Sequence, residues 1–181
     1  MKKIPTLFQR NMSSPKLVVN EVTKGTEWVI DGEGIATQKF NGTACLIRDD
    51  KLYKRYDGKQ GRELPVDFEP CQKEPDPITG HWPGWVPVGD GPEDKYHREA
   101  LECFKNSPCN NDGTYELCGP KINSNPEGFE GHVLWRHGCV VFEDCPRTFD
   151  ELKTWFKGKD IEGIVWHHPD GRMVKIKKSN F

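Results

Sequence analysis

The stretch Glu162-Gly-Ile-Val-Trp-His-His-Pro-Asp-Gly-Arg-Met-Val-Lys-Ile-Lys177 decides the fold class. Its arms, Glu162–His167 and Arg172–Lys178, are rich in strand-forming residues, and Pro169-Asp170-Gly171 between them carries turn chemistry. The pattern predicts a hairpin. In the second arm Val174 and Ile176 alternate with Lys175 and Lys177. The apolar pair therefore faces a core while both lysines share the opposite face.

The same signature recurs upstream. Lys16–Val22 and Thr26–Ile30 are β-rich and separated by Lys24-Gly25. Ile35–Phe40, Thr43–Arg48 and Lys51–Tyr56 follow, the last two joined by a tight Asp49-Asp50 turn. Thr114–Cys118 is a further strand, and His132–Trp135 and Cys139–Glu143 flank a turn at Gly138. Two helices are predicted. Pro92–Asn106 places Tyr96, Ala100, Cys103 and Phe104 on one face, and Pro92 suits its first turn. Thr148–Lys157 shows a capping box, with Thr148 as N-cap, Glu151 three residues on and Gly158 past the end. Between strands and helices lies residues 57–91, dense in Pro and Gly and expected as a long loop insertion. The class is α+β, with two antiparallel β-sheets flanked by helices in a single domain spanning residues 1–181.

Composition sets the bounds. A chain of 181 residues can bury a core without disulfide or metal staples. Lys plus Arg number 26 against 28 Asp plus Glu, a formal charge of −2, which excludes a uniformly basic coat but not a local basic groove. Seven cysteines at positions 45, 71, 103, 109, 118, 139 and 145 form no C-x-x-C pair, so reduced thiols in a cytoplasmic protein are expected. No apolar run has the length of a signal peptide or a membrane span, so no membrane partner is expected.

Lys39-Phe-Asn-Gly42 sits at the end of one β-rich run and just before another. A lone K-x-x-G is far more often an ordinary lysine before a hairpin glycine than a nucleophile. The sharper reading is a lysine that attacks a nucleotide phosphate, for which it must shed its proton. Four further segments bear on the choice. Lys51–Tyr56 places Tyr53 and Arg55 on one strand face. Glu116 lies mid-strand in Tyr115-Glu-Leu-Cys-Gly119, and Glu162 starts a strand before a glycine. Lys175 and Lys177 complete the set. Two lysines on one strand face suit a triphosphate, and the two acids suit a magnesium ion or a ribose hydroxyl.

This order of segments resembles the covalent nucleotidyltransferase superfamily of polynucleotide ligases and capping enzymes. Lys39–Gly42 is similar to motif I, Arg55 to motif Ia, Glu116 to motif III, Glu162 to motif IV, and Lys175 with Lys177 to motif V. A closer resemblance is to the small ATP-dependent 5′-to-3′ RNA ligase family. It is carried by Gly84-Trp-Val-Pro-Val88, Ile122-Asn-Ser-Asn-Pro126 and Ile161-Glu-Gly-Ile-Val-Trp-His167, and covers roughly residues 35 to 178. Asn41 stands where many superfamily members have Asp, and Gln38 where family members often have Glu. With Phe181 as the last residue, no OB-fold domain is expected after motif V, and capping is disfavoured on that expectation.

The resemblance implies a nucleotidyltransferase (ATP-grasp-like adenylation) domain and an ATP-dependent RNA ligase. Lys39 would be the catalytic nucleophile. Gln38, Asn41, Gly42, Arg55, Glu116, Trp135, Lys175 and Lys177 would contact the nucleotide, and Glu162 and Glu116 would hold Mg²⁺ or Mn²⁺. The RNA would present a 5′-phosphate and a 3′-hydroxyl to a monomeric enzyme, with Lys54, Arg55, Lys59 and Arg62 among the local basic residues. DNA ligation, or a non-catalytic module binding nucleotides or RNA ends, is the alternative. Trp135 is as well explained by packing as by an adenine contact, and Trp82 and Trp85 read as loop packing ahead of an RNA-stacking lid. His132 with His137, and His167 with His168, read as polar strand ends rather than metal ligands.

Overall fold

The structure, a computed structural model, describes residues 2–105 and 111–181. Eleven strands and three α-helices follow in order among them. They are β1 (Phe8–Arg10), β2 (Val18–Val22), α1 (Glu27–Ile30), β3 (Ile35–Lys39), β4 (Thr43–Arg48), β5 (Lys51–Lys59), β6 (Glu69–Pro70), β7 (His81–Pro87), α2 (Lys95–Lys105), β8 (Gly113–Cys118), β9 (Val133–Arg136), α3 (Phe149–Lys157), β10 (Gly163–His167) and β11 (Met173–Lys177). The α+β class with antiparallel sheets holds. The chain, expected as one domain, divides into two compact units: Asn41–Arg136 forms the body of one, Ile4–Phe40 and His137–Phe181 form the other.

The second of these units is built on a three-stranded sheet in the order β11-β10-β3, with β1 and β2 as a separate ribbon. Alternation sorts its side chains. Ala36, Ile164, Trp166, Val174 and Ile176 point to a core shared with Leu7, Phe8, Trp28 and Val29 and closed by Leu152 and Phe156 of α3. The predicted hairpin is present: Gly163 pairs with Lys177 and His167 with Met173. Gly171 takes φ +89°, which its missing Cβ permits.

The other unit carries a six-stranded sheet, β6-β7-β5-β4-β8-β9. Cys45, Ile47, Leu52, Tyr115 and Leu117 on one face pack against Ala100 and Phe104 of α2. The Asp49-Asp50 turn has φ +51° and +59°, the left-handed pair that suits the twist of a two-residue hairpin.

Several expectations are corrected. Residues 57–91 are not one loop: β5 runs on to Lys59, and β7 pairs with it from Tyr53↔Pro87 to Lys59↔His81. Thr26–Ile30 is a helical turn rather than a strand. The Thr26 hydroxyl donates to the carbonyls of Leu7 and Thr23, at 3.1 and 2.7 Å, which folds the chain back there. Cys103 is exposed on α2, and Leu101 packs on the core instead. Thr148 caps α3 by position, but its hydroxyl donates to Glu151 Oε2 at 2.6 Å, so the reciprocal box is not made. His132–Trp135 and Cys139–Glu143 form no hairpin: β9 pairs with β8, while Val140 and Phe142 bond to Gln38 and Ala36 of β3. Asn106, at the end of the predicted helix, and Cys109 lie outside the described residues; among the described residues no two cysteines are joined in a disulfide. Among the described residues no helix is long and apolar enough to cross a membrane.

Candidate active site

Lys39 ends β3, and the register of the three-stranded sheet fixes its neighbours. Lys39 opposes Gly163, and Gly163 opposes Lys177. Two residues back, Thr37 opposes Val165, which opposes Lys175. Residues opposed across an antiparallel ladder share a face. Lys39, Lys175 and Lys177 therefore stand together on the face turned away from α3. Gly163 is required between two of them: a Cβ there would lie 2.2 Å from the Ile176 carbonyl oxygen.

Glu162, the residue before β10, ties this row together. Its Oε2 lies 2.5 Å from Lys39 Nζ and its Oε1 2.5 Å from Lys177 Nζ, with the carboxylate side chain only 12% exposed. Lys39 Nζ also donates to the Phe40 carbonyl at 3.1 Å. Lys175 feels the cluster most. Burial, then the charges of Lys39 and Lys177, push its pKa down to about 8, against the opposing pull of Glu162. Gln38 alternates to the face shared by Ile164 and Ile176, opposite the lysines, and its amide donates to Val140.

The remaining predicted residues belong to the unit built on the six-stranded sheet. Lys54 opposes Cys45 on the α2 side. Arg55, next along the strand, therefore points to the other face, as do Ala44 and the residues opposed in series to it, Glu116 and Trp135. The sheet thus brings Arg55, Glu116 and Trp135 to one face. Arg55 Nε donates to Asp57 at 3.0 Å, and the Trp135 ring lies 5.8 Å from that of Phe129. Glu116, 9% exposed, accepts the Gly42 amide at 3.1 Å.

The Asn41-Gly42 backbone is held by two residues given no role from sequence. Glu127 Oε1 accepts the Asn41 amide at 2.6 Å, and Asn123 Nδ2 donates to the Gly42 carbonyl at 2.8 Å and to Asn41 Oδ1 at 3.2 Å. Asn123, Ser124 and Asn125 all have positive φ, between +45° and +64°. The Asn-rich composition of that loop was the available signal, since Asn tolerates this conformation best among non-glycine residues.

The other side chains weighed from the sequence have contacts of their own, and Trp82 and Trp85 lie on β7 rather than in a loop. His132 Nδ1 lies 2.8 Å from Glu99 and its ring stacks on Tyr96, while His168 Nε2 lies 2.6 Å from Glu33. Trp85 is buried, and Trp82 Nε1 donates to the Gln72 carbonyl with its ring edge-on to Phe68. Among the described residues no three His, Cys, Asp or Glu side chains gather as a metal site.

Comparison with known proteins adds the family. A family model described as RNA ligase 1 matches residues 101–181. The chain is 31% identical over 131 residues to RNA ligase 1 of Pongo abelii, covering 55% of this chain and 40% of that protein. It is 26% identical over 214 residues to RNA ligase 1 of Rattus norvegicus, covering 80% and 66% respectively. The chain thus spans between 40% and 66% of the length of these curated relatives. By family model and by relatives alike, the chain is related to the RNA ligase 1 proteins, the RNA ligase family to which its motifs point.

Proposed function

We propose that this chain is an ATP-dependent RNA ligase working through a covalent lysyl-AMP. The observation that carries the reading is Lys39, held on one sheet face with Lys175 and Lys177 and in contact with Glu162. Lys39 gives up a proton, for which Glu162 Oε2 is the acceptor within reach, and its Nζ attacks the α-phosphorus of ATP. An N–P bond forms, the bond to the β-phosphate oxygen breaks, and pyrophosphate departs with the electron pair. Lys177 and Lys175 neutralise charge on the phosphates. The AMP then passes to an RNA 5′-phosphate, and a 3′-hydroxyl displaces it to seal the strand.

Glu116 and Arg55 are assigned to the ribose and phosphate of the nucleotide, with Asn41 and Gly42 in the loop that follows the nucleophile and Trp135 against the adenine. Mg²⁺ or Mn²⁺, when bound, would supply further neutralisation of phosphate charge. Carboxylate oxygens suit such a hard cation, which takes one or two of them together with phosphate oxygens. Glu162 offers two, each now engaged by a lysine, and Glu116 is the second candidate. RNA as the strand to be sealed is supported by the relatives' names.

The test is direct. Incubation with labelled ATP and Mg²⁺ is expected to leave label on the protein through denaturing electrophoresis, and Lys39→Ala to abolish it. Label persisting on the mutant, or labelling by GTP and not ATP, overturns the assignment.

A further inference from the structure

One carboxylate stands among the three lysines of the site, and it is engaged with two of them. Lys175 has no carboxylate within ion-pair distance among the described residues. A fourth cation reaches this face from the chain's N-terminal segment. The Lys175 amide donates to the Pro5 carbonyl at 3.0 Å, and the Leu7 amide donates to the Lys175 carbonyl at 2.9 Å. Thr6 thereby bridges Lys175 in parallel and shares its face. Arg10 folds back over Thr6: its Nη2 donates to Thr6 Oγ1 at 3.4 Å, and its Nη1 to the Lys16 carbonyl at 3.0 Å. No carboxylate pairs with Arg10 among the described residues. Its charge adds to those that disfavour protonated Lys175.

Unanswered cations on one face destabilise the empty protein, and an anion relieves them. The row is also graded. Lys39 and Lys177 are tied to half-buried Glu162, Lys175 lies about 7 Å from Lys177 along the strand, and Arg10 is exposed. We propose that Arg10, with Lys175, seats the outer phosphates of the triphosphate, the pyrophosphate that leaves when Lys39 is adenylylated. The α-phosphorus meets Lys39, and the rest of the polyphosphate runs outward along the row. The segment Pro5–Arg10 is then part of the nucleotide site although it precedes every motif. This rests on the adenylylation reading above.

Inorganic pyrophosphate is the probe, titrated calorimetrically into the full chain and into Arg10→Ala and Arg10→Lys. Loss of a charged hydrogen-bonding partner is expected to weaken binding about tenfold in the alanine variant, with lysine recovering part of it. The KM for ATP in adduct formation should rise by a similar factor with kcat near unchanged, and sealing of pre-adenylylated RNA should keep its rate. Pyrophosphate binding that is absent from the wild type, or equal in Arg10→Ala, overturns the proposal. So does a loss of pre-adenylylated RNA sealing with pyrophosphate binding intact, which would give Arg10 to the RNA. A wild type that binds pyrophosphate through Arg10 but forms no labelled adduct overturns the ligase reading and leaves this seat standing.

Discussion

Glu162 and Lys39 lie 123 residues apart in sequence and 2.5 Å apart in space, joined because β10 pairs with β3 so that Gly163 falls opposite Lys39. Glu162→Gln keeps the shape and removes the charge and the proposed proton acceptor. Adduct formation is expected to fall by about 10²-fold or more. Labelled-ATP incorporation measures it, with thermal unfolding as the control for fold.

Lys175 makes the site pH-dependent. Its folded pKa of about 8 lies below the ordinary 10.5, so between those values the unfolded chain binds more protons and stability rises with pH. The phosphate binding proposed for Lys175 runs the other way, because only the protonated ammonium attracts it. The KM for ATP should climb as pH rises through about 8, and Lys175→Arg should flatten that climb. Initial rates across the range give the answer.

Two glycines beside candidate site residues are required by the neighbouring backbone. A Cβ on Gly42 would lie 2.2 Å from the Leu117 carbonyl oxygen, and one on Gly163 equally near that of Ile176. Each alanine substitution is expected to destabilise by about 1–3 kcal/mol. Gly131→Ala, with no atom near its added Cβ, should stay within about 0.5 kcal/mol. Denaturant midpoints distinguish these outcomes.

Asp94 is a buried acid held by Lys54 Nζ at 2.6 Å and the Gly89 amide at 2.8 Å. Burial works against its charge, but those hydrogen bonds prevail and hold its pKa below the ordinary value. Asp94→Ala leaves both donors unanswered and should cost about 2–4 kcal/mol at neutral pH. A lowered acid pKa contributes stability above the unfolded value and loses it as pH falls through the folded one. The gap between wild type and variant should therefore shrink in acid, as unfolding curves at the two pH values will show.

Lys59, at the end of β5, and Arg62 are exposed and precede the β7 strand. Lys59→Ala with Arg62→Ala is expected to slow RNA sealing more than self-adenylylation. It should also make the salt slope of RNA binding shallower by about 0.7 for each phosphate no longer neutralised. Equal slowing of both steps would remove these residues from an RNA-specific role.

Alternation made the site strands legible: Val174-Lys-Ile-Lys177 announced its two faces, and the structure keeps them. Strand β7 was illegible for a physical reason. Pro83, Gly84 and Pro87 are poor strand formers, yet β7 is paired from both sides, and a Cβ on Gly84 would strike the Phe68 ring at 2.2 Å. Pairing and packing override propensity there. The α1 turn was misread because Trp28, Val29 and Ile30 favour strands, while the bonds of Thr26 to Leu7 and Thr23 that fold the chain back leave no mark in the residue pattern. Glu127 stayed hidden because a carboxylate in a loop carries no periodicity; its role exists only through the amide it accepts.

The cradle around Asn41-Gly42 also bears on how the protein ages. Asn-Gly is the dipeptide most prone to deamidation, in which the glycine nitrogen loses its proton and closes on the asparagine side chain. Here that nitrogen donates to the Glu116 carboxylate, whose negative charge opposes its ionisation, while Asn123 holds the Asn41 side chain and the Gly42 carbonyl. The contacts that shape the loop after Lys39 thus guard it chemically. Without them, slow succinimide closure would put an acid where this chain holds an amide, two residues from Lys39.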